Sequence, residues 1–222
     1  MKIIVCLAGI LLLFSNCNGK NQNQLDYHLP VIEDSSCFTK MKSLGVVIIL
    51  PDSIEHLKKE MLIRDQNEII VNRLFFDSEE KIVKFERNEI AIREYYPDYW
   101  IIIFDGYPIK DGKYKVFIND TIYFLEHVEG FTAFEEWETH IKRTFVSTDK
   151  FNPIRETPSN KGMIISDLDY ENLNFVVLSV NDDWINIECD MYCEGCPDGQ
   201  LVRGWVKWRE GDKLLVKLYY AC

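Results

Sequence analysis

The sequence predicts a mainly β protein with one prominent helix, a β-rich α+β fold, and three observations carry that reading. Short runs dense in β-branched and aromatic residues recur from Val46 to the C-terminus. Turn signals such as Asp105-Gly106, Asn119-Asp120 and Asn181-Asp182-Asp183 punctuate them. One segment, residues 133–145, breaks the pattern with apolar residues spaced three and four apart. With 47% hydrophobic and 13% aromatic residues, the chain is too apolar to be disordered.

The strands follow in order. Val46-Val47-Ile48-Ile49-Leu50 is a short apolar run closed by Pro51-Asp52. His56 to Met61 reads as one or two turns of helix. Ile69-Ile70-Val71, Leu74-Phe75-Phe76 and an alternating stretch at Ile82, Phe85, Ile90 and Ile92 come next. Tyr99-Trp100-Ile101-Ile102-Ile103-Phe104 is the strongest strand of this half, with Asp105-Gly106 ending it. Tyr114-Lys115-Val116-Phe117-Ile118 and Thr121-Ile122-Tyr123-Phe124-Leu125 flank Asn119-Asp120 as a tight hairpin. Together these make a strand-rich unit over residues 46–128.

The helix sits in a connecting segment, residues 129–149. Thr132 stands as its N-cap with Glu135 three residues on, a capping-box pattern. Phe134, Trp137, Ile141 and Phe145 form its apolar face, and Lys142 and Arg143 suit the negative end of the helix dipole. Glu135 and Glu136 read as a solvated face. A polar loop bracketed by prolines, residues 152–162, follows.

The last third is more specific. Phe175-Val176-Val177-Leu178-Ser179-Val180 and Trp184-Ile185-Asn186-Ile187-Glu188-Cys189 are strands across a turn. Gly204-Trp205-Val206-Lys207-Trp208 and residues 214–220 are two more. The Asn-Pro…Pro-Ser loop (Asn152 to Ser159), Asp182-Asp183-Trp184-Ile185-Asn186-Ile187 and Gly204-Trp205-Val206 resemble the bacterial SH3-like (SH3b) family. That resemblance covers about residues 150–222 and implies a small β-barrel. The cysteine-bearing segment 189–203 departs from the family's short hairpin. Residues 99–125 share a similar logic, a Trp strand, a Gly turn and another strand.

Alternation sorts the tryptophans. Ile185 and Ile187 share one face with Val206 and Trp208, which the core needs. Trp184 and Trp205 then project to the opposite face, where two rings suit ligand stacking. The competing reading is that the helix or the cysteine loop covers both.

At the N-terminus Lys2 precedes an apolar run, Ile3 to Phe14, too short for a permanent membrane span but suited to a secretory signal. Ser15-Asn16-Cys17 ends it, and a polar stretch follows. This pattern resembles the lipobox of Bacteroidetes-type lipoproteins, in its looser form. The resemblance implies a signal peptide over residues 1–16, lipidation of Cys17, a tether over residues 17–45 and an outer-membrane anchor facing the periplasm.

Seven cysteines are present; setting aside Cys6 in the signal and Cys17 leaves Cys37, Cys189, Cys193, Cys196 and Cys222. The spacing Cys189-x3-Cys193-x2-Cys196 suits a zinc ion in a reducing compartment. In an oxidising one, disulfides among Cys189, Cys193, Cys196 and Cys222 are the expected outcome, with Cys222 reaching back to pin the last strand. A redox reading of Cys193-Glu194-Gly195-Cys196 is weakened by the turn at Pro197-Asp198-Gly199.

The formal charge of −11 repels nucleic acid and anionic headgroups. His28, His56, His127 and His140 lie in separate contexts, and no HExxH, GxSxG, phosphate-binding or dinucleotide motif appears. The expectation is therefore a non-enzymatic binding or adaptor protein of the envelope, without cofactor or metal. Its partners would be the membrane, through lipid, and a peptide, glycan or protein held on the C-terminal module. The alternative is an envelope enzyme or zinc-dependent protein using the cysteine cluster.

Overall fold

A computed structural model describes residues 40–50, 60–77, 82–87, 90–96, 99–165, 170, 173–190, 196 and 200–220. Cys17, Cys37, the expected signal peptide and most of the expected tether lie outside the described residues. The described chain is strand-rich with one short α-helix, and every strand pairing is antiparallel. No described helix is long and apolar enough to cross a membrane.

The larger sheet curls through nine strands. They are β1 (Gly45–Ile49), β2 (Glu60–Arg64), β3 (Ile70–Asp77), β4 (Ile82–Phe85), β5 (Glu94–Tyr96), β6 (Ile101–Ile109), β7 (Lys113–Ile118), β8 (Thr121–Glu126) and β9 (Thr132–Glu136). The order is β4-β3-β2-β8-β7-β6-β1-β9, with β5 also paired to β6. Asn119 and Asp120 both have positive φ, 50° and 61°, so the expected β7–β8 hairpin turns with the backbone twist its strands require. Met61, read from the sequence as the end of a helical turn, lies instead in β2. The two apolar runs on either side of Asn72 are one strand, β3.

Asp105-Gly106 does not end β6, which continues to Ile109. The reason is local packing. A Cβ on Gly106 would lie 2.6 Å from the Lys115 carbonyl oxygen and 3.0 Å from Val47, so glycine here permits close approach of strands rather than a turn. Asp105 is buried and bound by Arg93, as described below.

The helix is the main correction. Only Trp137–His140 (α1) is α-helical, extended by a 3-10 turn over Ile141–Arg143. Thr132 is no N-cap; residues 132–136 form β9, paired in register with β1 from Ile49↔Thr132 to Gly45↔Glu136. A helix would have put Phe134 and Trp137 on one face. The strand sends them to different cores, Phe134 beneath the larger sheet and Trp137 between the two sheets. Pairing along β1 satisfies backbone groups that a helix would have satisfied internally, and tertiary context overrides the periodicity.

The smaller sheet has the order β13-β12-β11-β10-β16. Its strands are β10 (Phe145–Ser147), β11 (Phe175–Asn181), β12 (Trp184–Cys189), β13 (Arg203–Lys207) and β16 (Lys217–Tyr219). A separate hairpin joins β14 (Arg209–Glu210) to β15 (Lys213–Leu214). The run 214–220 is thus broken rather than continuous. Asn152 Nδ2 donates to the carbonyls of Lys207 (2.7 Å) and Leu215 (2.9 Å), and Leu215 N–H donates to Trp208 O (2.8 Å), which satisfies the backbone at the break.

Two cores result. One lies inside the curl of the larger sheet, around Phe104, Leu74, Ile63 and Leu125. The other lies between the sheets, where Val46, Ile103 and Trp137 meet Phe175, Ile185, Ile187, Val206 and Trp208. Strands β1 and β6 therefore bury both faces, Val46 toward one core and Val47 toward the other. That explains their unbroken apolar runs.

Candidate functional site

Alternation along β12 and β13 places the tryptophans as expected. Ile185, Ile187, Val206 and Trp208 are fully buried on the core side. Trp208 also donates its indole N–H to the Asp182 carbonyl at 2.9 Å, and the Arg209 guanidinium lies 4.7 Å from the Trp208 ring centroid. Trp184 and Trp205 are only half-buried, on the outer face. In the register, Trp184 opposes Lys207 and Asn186 opposes Trp205, so the two rings sit diagonally with Asn186 between them in the ladder.

The loop 152–165, read as polar and irregular, extends this face. Arg155 pairs with Trp205 through two backbone hydrogen bonds of 2.7 Å, and Ile164 pairs with Arg155. Ile154 is fully buried and Ile165 packs on the same core, so Arg155 and Ile164 share the outer face with Trp205. Gly204 makes this docking fit: a Cβ there would lie 2.5 Å from Ile154 and 2.8 Å from the Arg155 carbonyl oxygen. One row across the sheet therefore reads Ile164, Arg155, Trp205, Asn186, Ser179.

Cys189 and Cys196 form a disulfide. Cys189 is buried at the end of β12, and its sulfur accepts the Val202 N–H at 3.2 Å. Cys193 and Cys222, and with them the expected reach of Cys222 to the cysteine segment, lie outside the described residues. Among the described residues no group of three or more His, Cys, Asp and Glu side chains is placed to hold a metal ion.

A second polar assembly, not anticipated from sequence, lies where the two sheets meet. Arg93 grips Asp105 with both ends of its guanidinium, Nε to Oδ1 at 2.8 Å and Nη2 to Oδ2 at 2.6 Å, with both side chains only 4% exposed. The Lys42 N–H donates to Asp105 (3.1 Å), Arg93 donates to the Lys40 carbonyl (2.7 Å), and the Trp137 ring lies 5.0 Å from the guanidinium. Nearby, His140 bridges Glu135 Oε2 (3.0 Å) and the Tyr220 hydroxyl (3.1 Å), while Arg143 binds the other Glu135 oxygen. Glu135 is thus a correction to the solvated-face reading, since β9 turns it inward beside Val46 and only 10% of its side chain is exposed. The His140 hydrogen bond holds its carboxyl below the usual range despite partial burial, helped by the Arg143 charge. Burial pushes the Tyr220 hydroxyl far up.

A cleft of about 460 Å³ opens beside this junction, lined by Met41, Leu44, Glu136, Trp137, Arg209 and Asp212 among others. Its one hydroxyl, that of Ser43, is spent on the Gly45 carbonyl. His127 is similarly occupied by Tyr114 (2.9 Å) and Thr132 (3.1 Å). Comparison with protein-family models, with curated proteins and with solved structures finds no match.

Glu94 supplies a pH test of the junction. Burial pushes its carboxyl up to about 7, against smaller lowering effects of the Tyr95 backbone and Arg93. Above the ordinary carboxylate range the folded state must carry this charge in a poorly solvated place, so stability falls as pH rises from about 4.5 to 7. Glu94→Gln should remove that decline. At pH 8 it should be more stable than the parent by about 2–3 kcal/mol, with little difference at pH 4. Urea midpoints of the two proteins across pH measure this; a difference that does not grow with pH would show that Glu94 is already well solvated.

Proposed function

We propose that this chain is an exported, lipid-anchored binding protein of the cell envelope, without chemistry of its own. Its ligand lies on the outer face of an SH3-like C-terminal module, against Trp184 and Trp205. The observation that carries this reading is the contrast among three tryptophans, Trp184 on β12, Trp205 on β13 and Trp208 just past the end of β13. Trp208 is wholly buried, whereas Trp184 and Trp205 are only half-buried, on the face the core does not use. A large ring contributes nothing to folding in proportion to its exposed area, but offers a flat apolar surface to a ligand.

Other features support the setting. The Cys189–Cys196 disulfide suits an oxidising compartment and withdraws two thiolates from any zinc site in the cysteine segment. The pattern ending at Cys17 supplies the export signal and the lipid attachment point. Several acyl chains on one cysteine would give stable membrane attachment where a single chain would not. On this reading the anchor faces the periplasm from the outer membrane, and nucleic acid is no partner.

Two experiments test the proposal. Cys17→Ala should move the protein from the membrane to the soluble fraction and abolish incorporation of a fatty-acid probe; unchanged membrane retention would remove the anchor. Trp208→Ala should destabilise the module by about 3–5 kcal/mol, as expected of a buried Trp. Trp205→Ala should instead shift the urea midpoint little while reducing capture of crosslinked partners in isolated envelopes. If Trp205→Ala and Trp184→Ala melt the protein as badly as Trp208→Ala, the rings belong to the core and the binding face is lost with them.

A further inference from the structure

We propose that the ligand of the aromatic face is a carboxylate-bearing oligosaccharide, gripped by Arg155 beside Trp205. This rests on the reading of that face as the ligand surface. The charge pattern points to an anion. The whole chain carries −11, yet among the described residues three cations surround Trp205 on the outer face, Arg155 across the ladder and Arg203 and Lys207 two positions to either side, against two carboxylates, Glu188 and Glu210. Such local reversal of sign matters because screening confines charge effects to about 8–10 Å at ordinary ionic strength.

Arg155 is the cation left for a ligand. Arg203 lies 3.8 Å from Glu188 and donates to Asn186 Oδ1 at 3.2 Å. Lys207 is 2.8 Å from Glu210. The Arg155 guanidinium donates at 2.8 Å to the carbonyl of Gly162, a neutral acceptor, and meets no carboxylate among the described residues. Its position is fixed, because its backbone is paired to Trp205 and Gly204 lets Ile154 lock beneath. A guanidinium whose backbone is fixed next to Trp205 in the ladder offers planar, bidentate recognition to a carboxylate.

The shape favours sugar over peptide. Trp184 and Trp205 are diagonal neighbours on one sheet face, and aromatic residues so placed suit stacking on the apolar C–H faces of pyranose rings. A peptide adding as a strand beside Trp205 would meet the edge of β13, which Arg155 already occupies there.

The test titrates the full-length chain with three probes: hexagalacturonate, its uncharged methyl ester, and poly-glutamate of matched charge. The acid should bind at least about tenfold tighter than the ester, a difference of about 1.4 kcal/mol. Arg155→Gln should reduce that preference to less than about threefold with an unchanged thermal midpoint, and Arg155→Lys should retain part of it. Equal binding of acid and ester, tighter binding of poly-glutamate than of the sugar, or binding of none of the three would overturn the proposal. Two outcomes separate it from the reading beneath it. Ester binding as tight as that of the acid, and lost in Trp205→Ala, keeps the aromatic face and discards the carboxylate, whereas probe binding indifferent to Trp205→Ala discards both.

Discussion

The buried pair of Arg93 and Asp105 is the constraint on which the architecture turns. Asp105 follows Ile101 and Ile103 on the face of β6 that looks toward the smaller sheet. A carboxylate at that point sits in a position otherwise given to aliphatic side chains. It is tolerated because Arg93 neutralises it with two hydrogen bonds and the Lys42 N–H supplies another. The guanidinium in turn reaches the Lys40 carbonyl and lies against Trp137, so one ion pair ties segment 40–42, the approach to β5, the middle of β6 and the start of α1. Glu135, His140 and Tyr220 extend the same polar seam to the end of the chain. Such a network fixes how the two sheets sit together, which a purely apolar interface would leave less specified.

The strands were legible in the sequence and the helix was not. The runs Val46-Val47-Ile48-Ile49 and Ile101-Ile102-Ile103-Phe104 announced themselves because both faces of β1 and β6 are buried, which leaves no polar alternation to confuse them. Asn119-Asp120 was equally plain, since only a turn with two positive φ values needs that pair. Residues 132–136 misled because Phe134 and Trp137 are three apart, a spacing that serves a helix face as well as two opposite faces of a strand running into a turn. What decides is the unpaired edge of β1, a partner far away in sequence. Asp105-Gly106 misled for a similar reason: the residues of a turn also serve where strands approach closely around a buried charge.

The candidate site was half visible. Alternation alone assigned Trp208 to the core and sent Trp184 and Trp205 outward. Arg155 was hidden, because its place depends on a two-residue bridge to Trp205 from within a proline-bracketed loop. The pattern Ile154 inward, Arg155 outward, set against the small Gly204, is the signal that would have found it. The cysteines gave their redox state more readily than their partners: spacing favoured a disulfide but not the short link Cys189–Cys196, which closes a tight loop at the strand end. The seam of Arg93, Asp105, Glu135 and His140 left no trace in sequence, its members being up to 47 residues apart with no periodic relation.

The central claim is that the Arg93–Asp105 pair holds the two sheets as one unit, and a double-mutant cycle tests it most directly. Urea unfolding would be followed for the parent, Arg93→Met, Asp105→Leu and the double variant. Each single variant leaves one buried charge without its partner and should lose about 3–5 kcal/mol, while the double variant should recover most of that loss, giving a coupling of more than about 2 kcal/mol. Losses that simply add, with no recovery in the double variant, would show that the two residues act independently and that the seam does not hold the sheets together.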